Sequence, residues 1–192
     1  MSTINLNGAT SGQIALVPTA IAGSNTLTLP AETGTLRSTV SSGTVLQVVN
    51  YQTGAVATGT TTIPTDNTVP QNTEGNEYMT LAITPKSATS TLIITVQVNV
   101  ALNANVSCCA ALFQDSTASA VAANGITPTN SGYWQVIPIA FKMTSGTTSS
   151  TTFKVRAGPN TAATLTFNGN GGTSIFGNVV QYSSITITEV VP

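Results

Sequence analysis

Through residues 90–103 the chain alternates with period two: Leu92, Ile94, Val96, Val98, Val100 and Leu102 share one parity, and Thr91, Ile93, Thr95, Gln97, Asn99 and Ala101 share the other. Successive strand side chains point to opposite faces, so this run has one apolar face and one mostly polar face. Its β-branched residues suit a pleated surface and lose rotamer freedom in a helix. It reads as the central strand of an antiparallel β-sandwich, and every other segment is expected to pair with it or cover it.

The same alternation, broken by Gly, Pro, Asn and Ser, runs through the rest of the chain and gives eight to ten short body strands with no helical periodicity. Residues 44–51 predict a strand that is apolar on both faces. Residues 54–63 are extended, near an edge, and residues 64–76 form a loop. In residues 78–84, Met79, Leu81 and Ile83 point inward; Pro85 ends the run, and residues 86–89 turn so directly into the central strand that the two strands are expected to be neighbours. Residues 106–114 return as a strand whose small Ala110 and Ala111 suit close sheet packing, residues 118–123 make a short strand, and residues 124–132 a loop. Residues 133–143 form a long strand in which Pro138 argues for an edge or a bulge. Phe153 and Val155 point inward with Lys154 and Arg156 outward, residues 158–160 turn, Leu165 and Phe167 point inward, and residues 183–190 close the fold with Ile185 and Ile187 inward. The fold class is therefore all-β: a jelly-roll-like sandwich knob over residues 43–192, preceded by an N-terminal β arm over residues 1–42. The arm holds two weak strands, residues 13–17 and 26–29, too short to stand alone in water. It needs a partner for anchoring or trimerisation.

Composition narrows what such a fold can do. Only 6% of the 192 residues are charged, none is His, and the net charge is −1, so there is no electrostatic footprint for nucleic acid or an anionic membrane. A weakly charged surface resists association poorly, which points to burial against other subunits. Cys108 and Cys109 are adjacent, face opposite ways on a strand and read as free thiols, as in a reducing cytosol. No secretory signal opens the chain and no apolar run reaches the length of a membrane span.

Candidate chemistry is sparse. Nucleophilic catalysis needs a base beside Ser or Cys, and no His is present to supply it. Asp66, Glu74 and Glu77 share one loop region and, with Asn67 and Asn72, offer oxygens for a carboxylate pair or for Ca²⁺; the plainer reading is a solvated loop. Residues 168–172, Asn-Gly-Asn-Gly-Gly, lack the lysine and helix of a phosphate-binding loop and read as a tight strand connection. Tyr133 and Trp134 can stack on a sugar ring, although aromatic pairs at strand starts more often belong to a core or an interface. Lys154 and Arg156 read as a solvated face, with an intersubunit salt bridge as the alternative. We expect no catalytic, cofactor-binding or metal residues and no cofactor.

The arm from Gly8 to Leu36, with Gly-Gln-Ile-Ala-Leu-Val-Pro at residues 12–18 and Ala-Gly-Ser-Asn-Thr-Leu-Thr-Leu-Pro-Ala-Glu-Thr-Gly-Thr-Leu at residues 22–36, resembles a repeat common in virion fibre proteins of tailed bacteriophages. Residues 43–49, 83–92 and 184–190 are similar to the knob that follows that repeat. Here one arm unit leads straight to the knob, where the fibres usually carry a longer adaptor and shaft. The resemblance implies a non-enzymatic homotrimeric virion protein assembled in the bacterial host cytoplasm. Its role would be capsid decoration (a cement or head knob docked on the major capsid protein through the arm). The alternatives are a short tail fibre, joined to tail or baseplate proteins and recognising a host glycan or protein, and a carbohydrate-binding module.

Overall fold

In a computed structural model, residues 4–7, 13–16, 41–178 and 180–192 are described. The chain divides into two compact units, Met1–Ser38 and Thr39–Pro192. In the first, β1 (Ile4–Asn7) pairs antiparallel with β2 (Gln13–Leu16). The second strand matches the expected one, but its partner is the segment before it, Ile-Asn-Leu-Asn, which alternates but is only four residues long. The strand expected at residues 26–29 lies outside the described residues.

The second unit is a sandwich of antiparallel strands. In order they are β3 (Val45–Thr53), β4 (Ala57–Gly59), β5 (Asn76–Ile83), β6 (Thr91–Leu102), β7 (Cys108–Gln114), β8 (Ala122–Ile126) and β9 (Trp134–Thr144). Then come β10 (Thr151–Pro159), β11 (Leu165–Phe167), the small hairpin β12 (Gly169–Asn170) and β13 (Thr173–Ser174), a 3₁₀ turn at Phe176–Asn178, and β14 (Ser183–Val190). One sheet has the order β5-β10-β7-β8; the other has β3-β14-β6-β11-β4, with β9 on the opposite edge of β6.

β6 is the centre of the larger sheet, as its alternation predicts. Its Leu92, Ile94, Val96, Val98, Val100 and Leu102 are all buried. They meet Met79, Ile83, Phe153, Val155, Ala157, Ala110 and Leu112 from the facing sheet. Each fully buried aliphatic side chain of this kind contributes about 1.5–3 kcal/mol by leaving water. Two strands share one edge of β6: β14 pairs with its residues 91–97 and β11 with residues 100–102. The joint at Asn99 is closed by side chains. Asn99 N donates to Ser183 Oγ at 2.8 Å, Ser183 Oγ donates to Asn168 Oδ1 at 2.7 Å, and Asn168 Nδ2 donates to Thr53 O at 2.7 Å. Asn168 is buried with φ 52, a left-handed conformation that Asn tolerates better than most residues.

Pro138 sits opposite Gln97 on β9, which pairs only with β6, so the proline occupies an edge as expected. Four expectations need correction. β5 and β6 are not neighbours: β5 pairs with β10, and residues 84–90 carry the chain from one sheet to the other. The reason is Glu189, inward-facing and buried at the end of β14. Its carboxylate accepts hydrogen bonds from Lys86 N at 2.8 Å, Ser87 N at 3.2 Å, Ser90 Oγ at 2.6 Å and Gln47 Nε2 at 2.6 Å. The corner is folded around that acid rather than into a hairpin. The strand expected at residues 118–123, ahead of a loop at 124–132, forms instead at Ala122–Ile126, because residues 118–120 bond to the loop at 70–72. Residues 158–160 do not all turn: β10 continues to Pro159, its register with β7 running through Gly158 and Pro159. Finally, the β5–β10 register slips between Met79 and Glu77, a bulge that brings Tyr78 onto the core side, where it stacks on Phe167 with ring centroids 4.6 Å apart.

Candidate functional site

The two sheets differ on their outer sides. On the four-stranded sheet, Cys109, Ala111 and Phe113 of β7 point away from the main core but are roofed by Ile63. The roof is laced down by Ile63 N to Pro159 O at 2.9 Å and Gly75 N to Thr62 O at 3.0 Å. Gly158 lets it come close: a Cβ there would lie 2.3 Å from Thr61 O. Arg156 fastens the same loop, donating from Nε to Glu74 O at 2.8 Å and from Nη2 to Gly75 O at 2.7 Å, with an ion pair to Glu77 at 3.6 Å. Arg156 is thus a structural clamp rather than a solvated cation.

The three acids of this region do not converge. Asp66 accepts from Thr68 N at 2.9 Å in its own turn, and those side-chain and backbone bonds from Thr68 hold its carboxyl below the usual range. Glu74 accepts from Gln71 N at 2.9 Å, and Glu77 faces Arg156. Among the described residues no cluster of acids, cysteines or histidines is placed to hold a metal. A cleft of about 290 Å³ between Glu77, Asp115, Lys154 and Arg156 is lined by charges of both signs, with Arg156 already engaged. Asp115 accepts from Thr152 N at 2.7 Å and Thr151 Oγ1 at 2.9 Å, closing the β7–β10 end. The cysteines are free and buried on opposite sides of β7. Burial, with the neighbouring Cys109, pushes the Cys108 thiol up to about 12, and burial raises that of Cys109, so neither offers a thiolate at neutral pH. Residues 168–172 form the tight β12–β13 connection.

Among the described residues none roofs the outer side of the six-stranded sheet. Its cross-strand rows read Val48–Thr188–Ile93–Lys142, Asn50–Thr186–Thr95–Ala140 and Gln52–Ser184–Gln97–Pro138, then Asn99–Val136. Lys142 is the one charged side chain in these rows. All the large hydrophobics left exposed among the described residues, except Val69, lie on this sheet or on the segments that lead into it. At the Thr91 end of β6 they are aliphatic, Val48 and Ile93. At the other end they are aromatic. Trp134 and Phe176 meet edge to face at 5.9 Å, and with Val136, Tyr182, Gln181, Gln97 and Asn99 they enclose an open cleft of about 370 Å³. Trp134 is 50% exposed and Phe176 60%, so the tryptophan singled out in the sequence belongs to the surface and not the core. Phe176, Gln181 and Tyr182 could not be read as its partners, because nothing local ties residues 176–182 to residue 134.

No family model and no curated protein matches the chain. Solved structures that it matches include dimeric latent PorU from Porphyromonas gingivalis, at TM-score 0.34 and 9% identity over 79% of this chain and 14% of that one. They also include the Gx strain of infectious bursal disease virus, at TM-score 0.34 and 9% identity over 93% of this chain and 48% of that one. A VP2 subviral particle of the same virus matches at TM-score 0.31 and 12% identity over 94% and 51%. The chain spans about half the length of the viral chains and a small part of PorU.

Proposed function

We propose that the chain is a non-enzymatic structural protein of a bacteriophage particle. Three copies associate through the aliphatic end of the weakly charged sheet face, and the N-terminal arm docks on the major capsid protein, making it a decoration (cement) protein. The observation that carries the reading is the unroofed face itself. A surface with Val48 and Ile93 open in one cross-strand row gains by burial, and Lys142 is the one like charge that a second copy brings to it. The resemblance of residues 8–36 to the fibre repeat supplies the virion and the arm's role. The groups that could do chemistry support the absence of catalysis: the acids are engaged in their own loops, and the thiols are held protonated.

A second reading is favoured by the aromatic cleft: a short tail fibre whose knob binds a host glycan or protein. Quantifying the chain in purified particles separates the two. Decoration predicts as many copies as there are shell positions to fill, whereas a fibre predicts a small fixed number at the tail. Removing residues 1–36 should leave a folded knob that no longer joins particles; a truncated chain that still docks contradicts the arm's role.

A further inference from the structure

We propose that the cleft between Trp134 and Phe176 is a binding site for a neutral saccharide. The proposal deepens the second reading above, in which this cleft serves a host glycan, and stands apart from the trimer, since every residue it uses belongs to one chain. Its first support is shape and lining. The open space of about 370 Å³ is at the lower end for small-ligand sites and is lined by aromatic rings, amides and two valines, with no charged side chain. A pyranose ring offers an apolar C–H face to an aromatic ring and hydroxyls around its rim, and the cleft offers the matching pair of surfaces. Asn99 is fixed in the floor by donating from Nδ2 to Tyr182 O.

The second support is the chemistry of the lining. Gln97, Asn99 and Gln181 bring amides to the cleft, and no charged side chain lines it. An anion finds no cation there, and a cation finds no carboxylate. A hydroxyl both donates and accepts, so it can pair with either end of an amide.

Trp134 is the only tryptophan in the chain, so its fluorescence reports on this cleft alone. Titrating the full chain with methyl glucoside and methyl galactoside should shift the indole emission saturably for at least one of them, with half-saturation near 1 mM, as weak single-ring sites give. Gln181→Ala and Phe176→Leu should each raise that concentration about tenfold or more. Both are substitutions in the cleft wall, and an unchanged thermal midpoint in each shows that the fold is intact. Saturation-transfer NMR should place the ring C–H protons of the sugar against the protein. No emission change with either glycoside up to about 50 mM, well above a millimolar dissociation constant, would overturn the proposal. So would tighter binding of glucuronate than of the glucoside, or an emission shift that follows protein concentration without sugar, which would make the cleft a contact between copies.

Discussion

On the four-stranded sheet the outward side chains of β7, Cys109, Ala111 and Phe113, are covered by Ile63 and a loop that Arg156 clamps in place, and Glu77 and Lys154 lie beside it. On the six-stranded sheet the outward side chains Val48, Ile93 and Val136 stay open, and Lys142 is the one charge among the cross-strand rows. Both faces carry hydrophobic residues at comparable positions. The difference is that the described residues cover one face and leave the other open. An apolar residue under a roof contributes to stability, whereas a contiguous exposed apolar patch marks a surface for association or ligand binding.

The contrast can be broken first at the roof. Phe113→Ala should cost about 4 kcal/mol, the usual toll of emptying a buried aromatic site, whereas Val136→Ala on the open face should stay within about 0.5 kcal/mol. Urea unfolding of the two variants measures this, and similar losses from both would erase the distinction between the faces. Next comes Glu189→Ala, which strips the 84–90 corner of its acceptor and should cost about 3 kcal/mol. Burial alone would raise the Glu189 pKa, but hydrogen bonds from Ser90, Gln47 and the backbone of Ser87 and Lys86 outweigh it and the net shift is downward. The carboxylate therefore adds stability in full above its unfolded value of 4.5, and this is lost as pH falls below it through the folded value. Denaturation followed between pH 6 and 3 should show that decline in the native chain and a flatter curve in Glu189→Gln. A smaller effect is expected at Arg156→Ala, about 1–2 kcal/mol from the loop carbonyls it holds, with the part-exposed Glu77 pair adding little. Lys142→Ala on the open face should be neutral, and an equal loss from both would make the clamp no more than a surface charge.

Much of the sandwich was legible because its signal is local. The alternation in β6, β10 and β14 specifies which side chains face the core, and Pro138 marks an edge strand, without knowledge of any neighbour. What was not legible depends on contacts between distant residues. The corner at residues 84–90 looks like a hairpin until Glu189, about a hundred positions away, is known to sit beneath it. The bulge at Tyr78 is set by pairing with β10, and β8 begins late because residues 118–120 bond to the loop at 70–72. Trp134 could be picked out as an aromatic at a strand start, but the cleft also needs Phe176 and Gln181, which arrive through an irregular segment with no periodicity to read.

Sedimentation equilibrium of the full chain, alongside a variant carrying both Val48→Glu and Ile93→Glu, tests most directly whether the open face is finished by other copies. The account predicts three times the chain mass for the native protein. It predicts a single-chain mass for the variant, which should still unfold cooperatively because both side chains are already exposed in the single chain. A native chain that remains monomeric at every concentration, or a doubly substituted chain that still forms trimers, would contradict it.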